Sequence, residues 1–202
     1  GHFNNESTVL DGGLRTTSDN YDILQDKTNV LVVDATASTV TAIDPARVSL
    51  GDTSRIPAAA KVALGNQTAA ILDQRSGALW VVPVKGLAGF EIEGAEPDAE
   101  LGADADVAIA QDGTVFGLSA ERGEVVTVPV DNEGQPLDSA VASVGEIDAS
   151  EAPRITAVGR TPIVLDTAAG VVTTPGGFRT QIEDADGAVL QSASAESTSV
   201  AL

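Results

Sequence analysis

Val107 to Val130 reads VAIAQDGTVFGLSAERGEVVTVPV. An apolar run, Val107 to Ala110, meets the turn Gln111-Asp112-Gly113, and a second run, Thr114 to Ser119, meets Ala120-Glu121-Arg122-Gly123. A third run, Glu124 to Val128, is closed by Pro129. Val, Ile, Phe and Thr suit a pleated, half-buried surface, and Gly and Asp at the breaks supply the backbone freedom of tight turns. The stretch therefore predicts three short antiparallel strands joined by hairpins.

The same order of run, turn, run, turn, run and Pro occurs at three other places, giving repeat cores at 21–45, 62–84, 107–130 and 155–177. The middle run ends at Asp34, Asp73, Ser119 and Asp166, spaced by 39, 46 and 47 residues. The closing prolines, Pro45, Pro83, Pro129 and Pro175, are spaced by 38, 46 and 46. Two markers with one period of about forty to fifty residues, each unit holding three to four short strands, are the signature of β-propeller blades. The fold expected is all-β, a propeller or part of one built from four antiparallel blades within one domain, 1–202. A β-sandwich also accommodates hairpin-rich sequence, but it lacks a regular repeat.

Fourth, outer strands are expected between the cores, at Ala46 to Leu50, Phe90 to Glu93 and Ala140 to Val144. Thr8-Val9-Leu10 is read as an edge strand, and Ala188-Val189-Leu190 as the approach to a fifth copy. Four copies are few for a closed ring. The choices are a small ring, a fragment of a larger one, or two chains pairing into eight blades, and the fragment is preferred.

Composition narrows the chemistry. The 202 residues are 43% hydrophobic and only 3% aromatic, so Val, Leu, Ile and Ala must build the core. Thirty acidic residues against 11 basic give a formal charge of −19, which argues against nucleic acid or an anionic membrane surface as partner. No apolar run is long enough to span a bilayer. Without Cys there are no disulfides and no thiolate chemistry, and the one histidine, His2, lies in what reads as a tag remnant. A Ser-His-Asp triad and His-ligated zinc or haem are not expected. Gly-rich phosphate loops are also missing.

Asp34, Asp73 and Asp166 all precede the second turn of their copy. Carboxylates gathered at one mouth of a ring would bind Ca²⁺ or a cationic ligand. An Asp opening a turn also caps the N–H groups that follow it, and this is the preferred reading. Ile182 to Gly187 contains the D-x-D-G of a calcium loop at Asp184 and Asp186, but Ile182 and Ala193 stand where an EF-hand needs Asp and Glu. These two aspartates are weak metal candidates, and no cofactor beyond a possible Ca²⁺ is expected. Gln74-Arg75 and Glu121-Arg122 occupy equivalent second turns and are nominated as partner-facing. Trp80 lies mid-strand and is read as blade packing.

YDILQDKTNVLVVDATASTVTAIDP (21–45), SGALWVVPVKGLAGF (76–90) and DGTVFGLSAERGEVVTVPV (112–130) together resemble the N-terminal extracellular region of large actinobacterial surface proteins that continue into fibronectin type III or Ig-like repeats. The likeness covers nearly the whole chain and carries no catalytic motif. It implies an extracellular setting, anchoring through a segment outside this chain, and a propeller-like region. The expected function is a non-enzymatic binding or scaffold module contacting a protein or glycan partner through blade loops, with self-association as a way to complete the ring. The alternative is a hydrolase, lyase or lectin-like propeller with an acidic, calcium-dependent mouth.

Overall fold

In the computed structural model, the residues described are 2–4, 9–11, 18–183, 188–191 and 199. Four four-stranded antiparallel sheets follow one another along the chain, each made of consecutive strands. Blade 1 holds β3 (Tyr21–Asp26), β4 (Asn29–Asp34), β5 (Thr39–Asp44) and β6 (Ser49–Arg55), after a small hairpin of β1 (His2–Asn4) and β2 (Val9–Asp11). Blade 2 holds β7 (Ala60–Gly65), β8 (Thr68–Asp73), β9 (Ala78–Pro83) and β10 (Ala99–Glu100). Blade 3 holds β11 (Asp106–Ile109), β12 (Val115–Ser119), β13 (Glu124–Val128) and β14 (Ala140–Ser143). Blade 4 holds β15 (Arg154–Val158), β16 (Thr161–Asp166), β17 (Val171–Thr173) and β18 (Arg179–Gln181). These are radial propeller blades, not two face-packed sheets.

The blades stack through apolar side chains that alternate along each strand. Leu31 and Val40 of blade 1 pack with Ile71 and Trp80 of blade 2, Leu72 and Leu79 with Val107 and Val126 of blade 3, and Leu118 and Val125 with Ile155 and Val164 of blade 4. On the far side of blade 4, Leu165 and Val172 are covered by Leu190. The expected fifth copy has no strand at Ala188 to Leu190, but this segment already lies where a next layer would pack, and the Thr156 hydroxyl donates to the Gln191 carbonyl at 2.8 Å.

One bond recurs in every blade. The carbonyl at the end of the second turn, on Ser38, Gly77, Gly123 or Gly170, accepts an N–H from Ile56, Leu101, Val144 or Ile182 respectively. These four turn residues all have positive φ, between 53° and 78°, a region that favours glycine. The donors of blades 1 to 3 join the apolar layer between their blade and the next, and Ile182 joins the layer on the far side of blade 4. These positive-φ turn ends thus fix where the chain leaves each blade.

The outer strands differ from expectation. Ala140 to Val144 contains β14, but Pro45 to Val48 is a turn and β6 begins only at Ser49. Phe90 to Glu93 forms no strand. After Pro83 the chain enters a 3-10 helix, Val84–Gly89, that buries Leu87, and the loop beyond it accepts the Trp80 indole N–H on the Ala95 carbonyl at 3.1 Å. Here the Asp98 carboxylate accepts the Val81 N–H at 2.7 Å, taking the place of a backbone ladder partner. The outer strand of blade 2 is therefore only two residues long. No helix among the described residues is long and apolar enough to cross a membrane.

Candidate functional site

The innermost strands β3, β7, β11 and β15 surround a cavity of about 680 Å³, which Val189, Leu190 and Gln191 also line. Its position follows from strand order, because the first strand of each blade is the one nearest the axis. Register then dictates which side chains share a level. The residue one step in from the second-turn end is Asp22 opposite Val33, Lys61 opposite Leu72, Asp106 opposite Leu118 and Arg154 opposite Leu165. All four line the cavity.

Asp106 is the buried member, 1% exposed. Its carboxylate takes the ammonium of Lys61 from blade 2 and the Ile155 N–H of blade 4 at 3.0 Å. Two donors offset the cost of burying this charge. Asp22 instead accepts the N–H of its own neighbour, Ile23, at 2.8 Å. Arg154 is exposed and forms no ion pair among the described residues. Tyr21, Gln25 and Gln74 add polar groups to the lining, and Ile23 and Val62 add apolar ones.

Of the residues nominated from sequence, Gln74 reaches this cavity. Asp34 and Asp166 are 7% and 2% exposed and cap their turns: Asp34 accepts from the Ala37 N–H at 2.8 Å and Asp166 from the Ala169 N–H at 2.9 Å. The second Asp166 oxygen accepts from the Asp148 N–H at 3.0 Å. Asp73 accepts from the Arg75 N–H at 3.1 Å and the Ser76 hydroxyl at 2.8 Å. Glu121 and Arg122 are exposed, and Arg122 is held by Glu124 at 3.0 Å and the Glu100 carbonyl at 2.7 Å. Arg75 is exposed on the equivalent turn. Asp184 and Asp186 lie outside the described residues. Among the described residues, no three acidic, His or Cys side chains gather as a metal site.

Sequence reasoning missed Asp22, Lys61, Asp106 and Arg154 as a set. A signal was present: they are spaced by 39, 45 and 48 residues, the same rhythm as the turn aspartates. Three of the four also sit just before or at the start of an apolar run, where a charge reads as an ordinary strand end.

Three carboxyl groups depart from the ordinary range. Burial raises Asp98, against the lowering effect of the Val81 N–H. Asp131 is lowered by the Gln135 and Glu133 N–H groups, and Asp148 by the Ser150 hydroxyl and N–H. None of the three lines the axial cavity.

The sequence matches no family model and no curated protein. Among solved structures, the chain is similar to virginiamycin B lyase from Staphylococcus aureus, with TM-score 0.52 and 10% identity over 88% of this chain and 61% of that one. It is also similar to a protein of unknown function from Bacteroides thetaiotaomicron, with TM-score 0.50 and 14% identity over 85% and 46% of the two chains. BamB from Moraxella catarrhalis aligns at TM-score 0.47 and 13% identity over 75% and 41%. The chain thus spans less than two thirds of each of these proteins. At such identities the likeness concerns the fold, a β-propeller architecture, and not the chemistry.

Proposed function

We propose that this chain is a non-enzymatic binding module of an extracellular, surface-anchored protein, which takes a protein or glycan partner at the axial mouth and the second-turn loops around it. The observation that carries the reading is the cavity of about 680 Å³, with Tyr21, Gln25 and Gln74 presented among apolar strand residues. A concave surface with apolar walls and convergent polar groups is the usual form of a ligand site, and this one also carries the charged side chains of Asp22, Lys61, Asp106 and Arg154. Exposed Arg75, Glu121 and Arg122 stand on equivalent turns and extend the surface outward.

The acidic, calcium-dependent alternative has less support, because the carboxylates of Asp34, Asp73 and Asp166 are already engaged by turn N–H groups and a hydroxyl. The lyase similarity carries fold alone and brings no catalytic residue to this chain.

The test is titration with soluble cell-wall glycan fragments and with a panel of secreted proteins, comparing the natural chain with Gln25→Ala/Gln74→Ala and Arg75→Ala/Arg122→Ala. Saturable binding that weakens at least roughly tenfold in one double variant is expected, as for loss of well-placed contacts. Binding unchanged in both variants would remove the mouth as the site.

A further inference from the structure

Asp22, Lys61, Asp106 and Arg154 stand at one level of the four inner strands and all line the axial cavity. Lys61 and Asp106 neutralise one another across blades 2 and 3. Among the described residues neither Asp22 of blade 1 nor Arg154 of blade 4 forms an ion pair, and Asp22 accepts the N–H of its own neighbour, Ile23. Both are exposed. The cavity therefore presents one open carboxylate and one open guanidinium, on the two outermost blades.

The lining also shows from which side these charges are reached. It includes Ala35 and Gln74, which belong to second turns, but stops at Gln25, Leu64 and Ile109, short of the first turns. The first turns are instead tied from blade to blade. The Asp26 carboxylate accepts the Asn66 N–H at 2.6 Å, the Asn66 side-chain amide donates to the Asp112 carbonyl at 3.2 Å, and Arg160 pairs with the Asp112 carboxylate at 2.7 Å. Asp22 and Arg154 lie one residue in from the second-turn end, so a ligand entering there meets both.

The backbone supplies an independent observation. Strands β3, β7, β11 and β15 are each the terminal strand of their sheet, so their axial edges carry N–H and C=O groups with no ladder partner. An extended peptide completes such an edge with its own amide groups. Its free ends, an ammonium and a carboxylate, match the two open charges, whereas a neutral glycan has neither to set against Asp22 and Arg154. A formal charge of −19 repels an approaching anion, and a ligand without net charge avoids that repulsion.

We propose that the axial cavity binds a short peptide with both ends free, its ammonium on Asp22 and its carboxylate on Arg154. This rests on the reading of the mouth as a binding site and names the class of its ligand.

Calorimetric titration with unblocked peptides of alternating alanine and leucine, two to five residues long, tests it; each residue adds about 3.3–3.6 Å of reach. Saturable binding is expected at one or more lengths, weakened at least roughly tenfold by N-acetylation and likewise by C-amidation. In Asp22→Asn the acetyl cap should cost nothing further, and in Arg154→Gln the amide cap should cost nothing further. Urea midpoints equal to that of the natural chain show that both variants are folded. No saturable binding of any unblocked peptide, binding indifferent to the caps, or caps whose cost is unchanged in the variants would overturn the proposal. If glycan fragments or secreted proteins then still bind through Gln25 and Gln74, the mouth remains a binding site and only its peptide ligand is lost. If they fail as well, the reading of the mouth falls with it.

Discussion

The ammonium of Lys61 and the carboxylate of Asp106 form an ion pair that joins blades 2 and 3 beside the axis, with Asp106 1% exposed and the Lys61 side chain 36% exposed. Its asymmetry decides what a substitution does. Removing Lys61 leaves a buried carboxylate with only the Ile155 N–H. Lys61→Met should therefore lower unfolding stability by about 1–3 kcal/mol, below the figure for a fully buried pair because the lysine is partly solvated. Adding Asp106→Asn, which keeps an acceptor for Ile155, should recover much of the loss. Urea titration of the four members of this cycle measures the coupling, and additive losses would show that the pair contributes nothing of its own.

The second-turn glycines give a sharper contrast. Gly123 has φ of 60°, and a Cβ placed there would overlap the Gly145 carbonyl oxygen. Gly123→Ala should cost about 2–3 kcal/mol through strain and backbone displacement. Gly86 has nothing within 4 Å of its would-be Cβ, so Gly86→Ala should leave the urea midpoint almost unmoved. Equal effects at the two positions would show that the turn geometry does not set the blade transition.

The blade cores were legible because turn chemistry and periodicity agree: Asp before the second turn in three copies, Gly within it in three and Pro at the close of all four fix the register of three strands. The outer strands were less legible because little in their own residues dictates them. β14 and β18 are exposed along their length, and β10 is cut to two residues by the Asp98 side chain acting as a ladder partner. Blade 1 also hides its turn signal, since Ser38 takes the positive φ that Gly77, Gly123 and Gly170 take elsewhere. The cavity side chains stayed hidden for another reason. Their meeting depends on register around the axis, which exists only once the blades are stacked.

The turn aspartates separate capping from metal binding. Asp166 accepts two N–H groups on its two oxygens, so Asp166→Asn keeps one and loses the other. A loss of about 1–2 kcal/mol is expected in urea unfolding. Asp34→Asn and Asp73→Asn retain an acceptor for the Ala37 and Arg75 N–H groups and should cost less. Calorimetric injection of CaCl₂ into the natural chain and into the variant carrying all three changes should give the same heats. A binding isotherm in the natural chain that disappears in the variant would restore the acidic-mouth reading.

Asp98 should give the molecule one contribution to stability that runs against the usual acid trend. Its carboxyl is raised by burial, so the folded chain holds the proton more readily than the unfolded one. That contribution is present in full below the unfolded carboxyl range, about pH 4, and is lost as pH rises through the folded value. Asp131 and Asp148, lowered by hydrogen bonds, act oppositely: their contributions are present above the unfolded range and are lost as pH falls through their folded values. Asp98→Asn retains an acceptor for the Val81 N–H and removes the ionisation. The variant should therefore be more stable than the natural chain near neutrality, and its advantage should shrink as pH falls through the carboxylate range. Urea midpoints measured from neutral pH down to about pH 3 would show the two curves converging. An advantage that is constant with pH would mean that burial of the charge is not what Asp98 costs the fold.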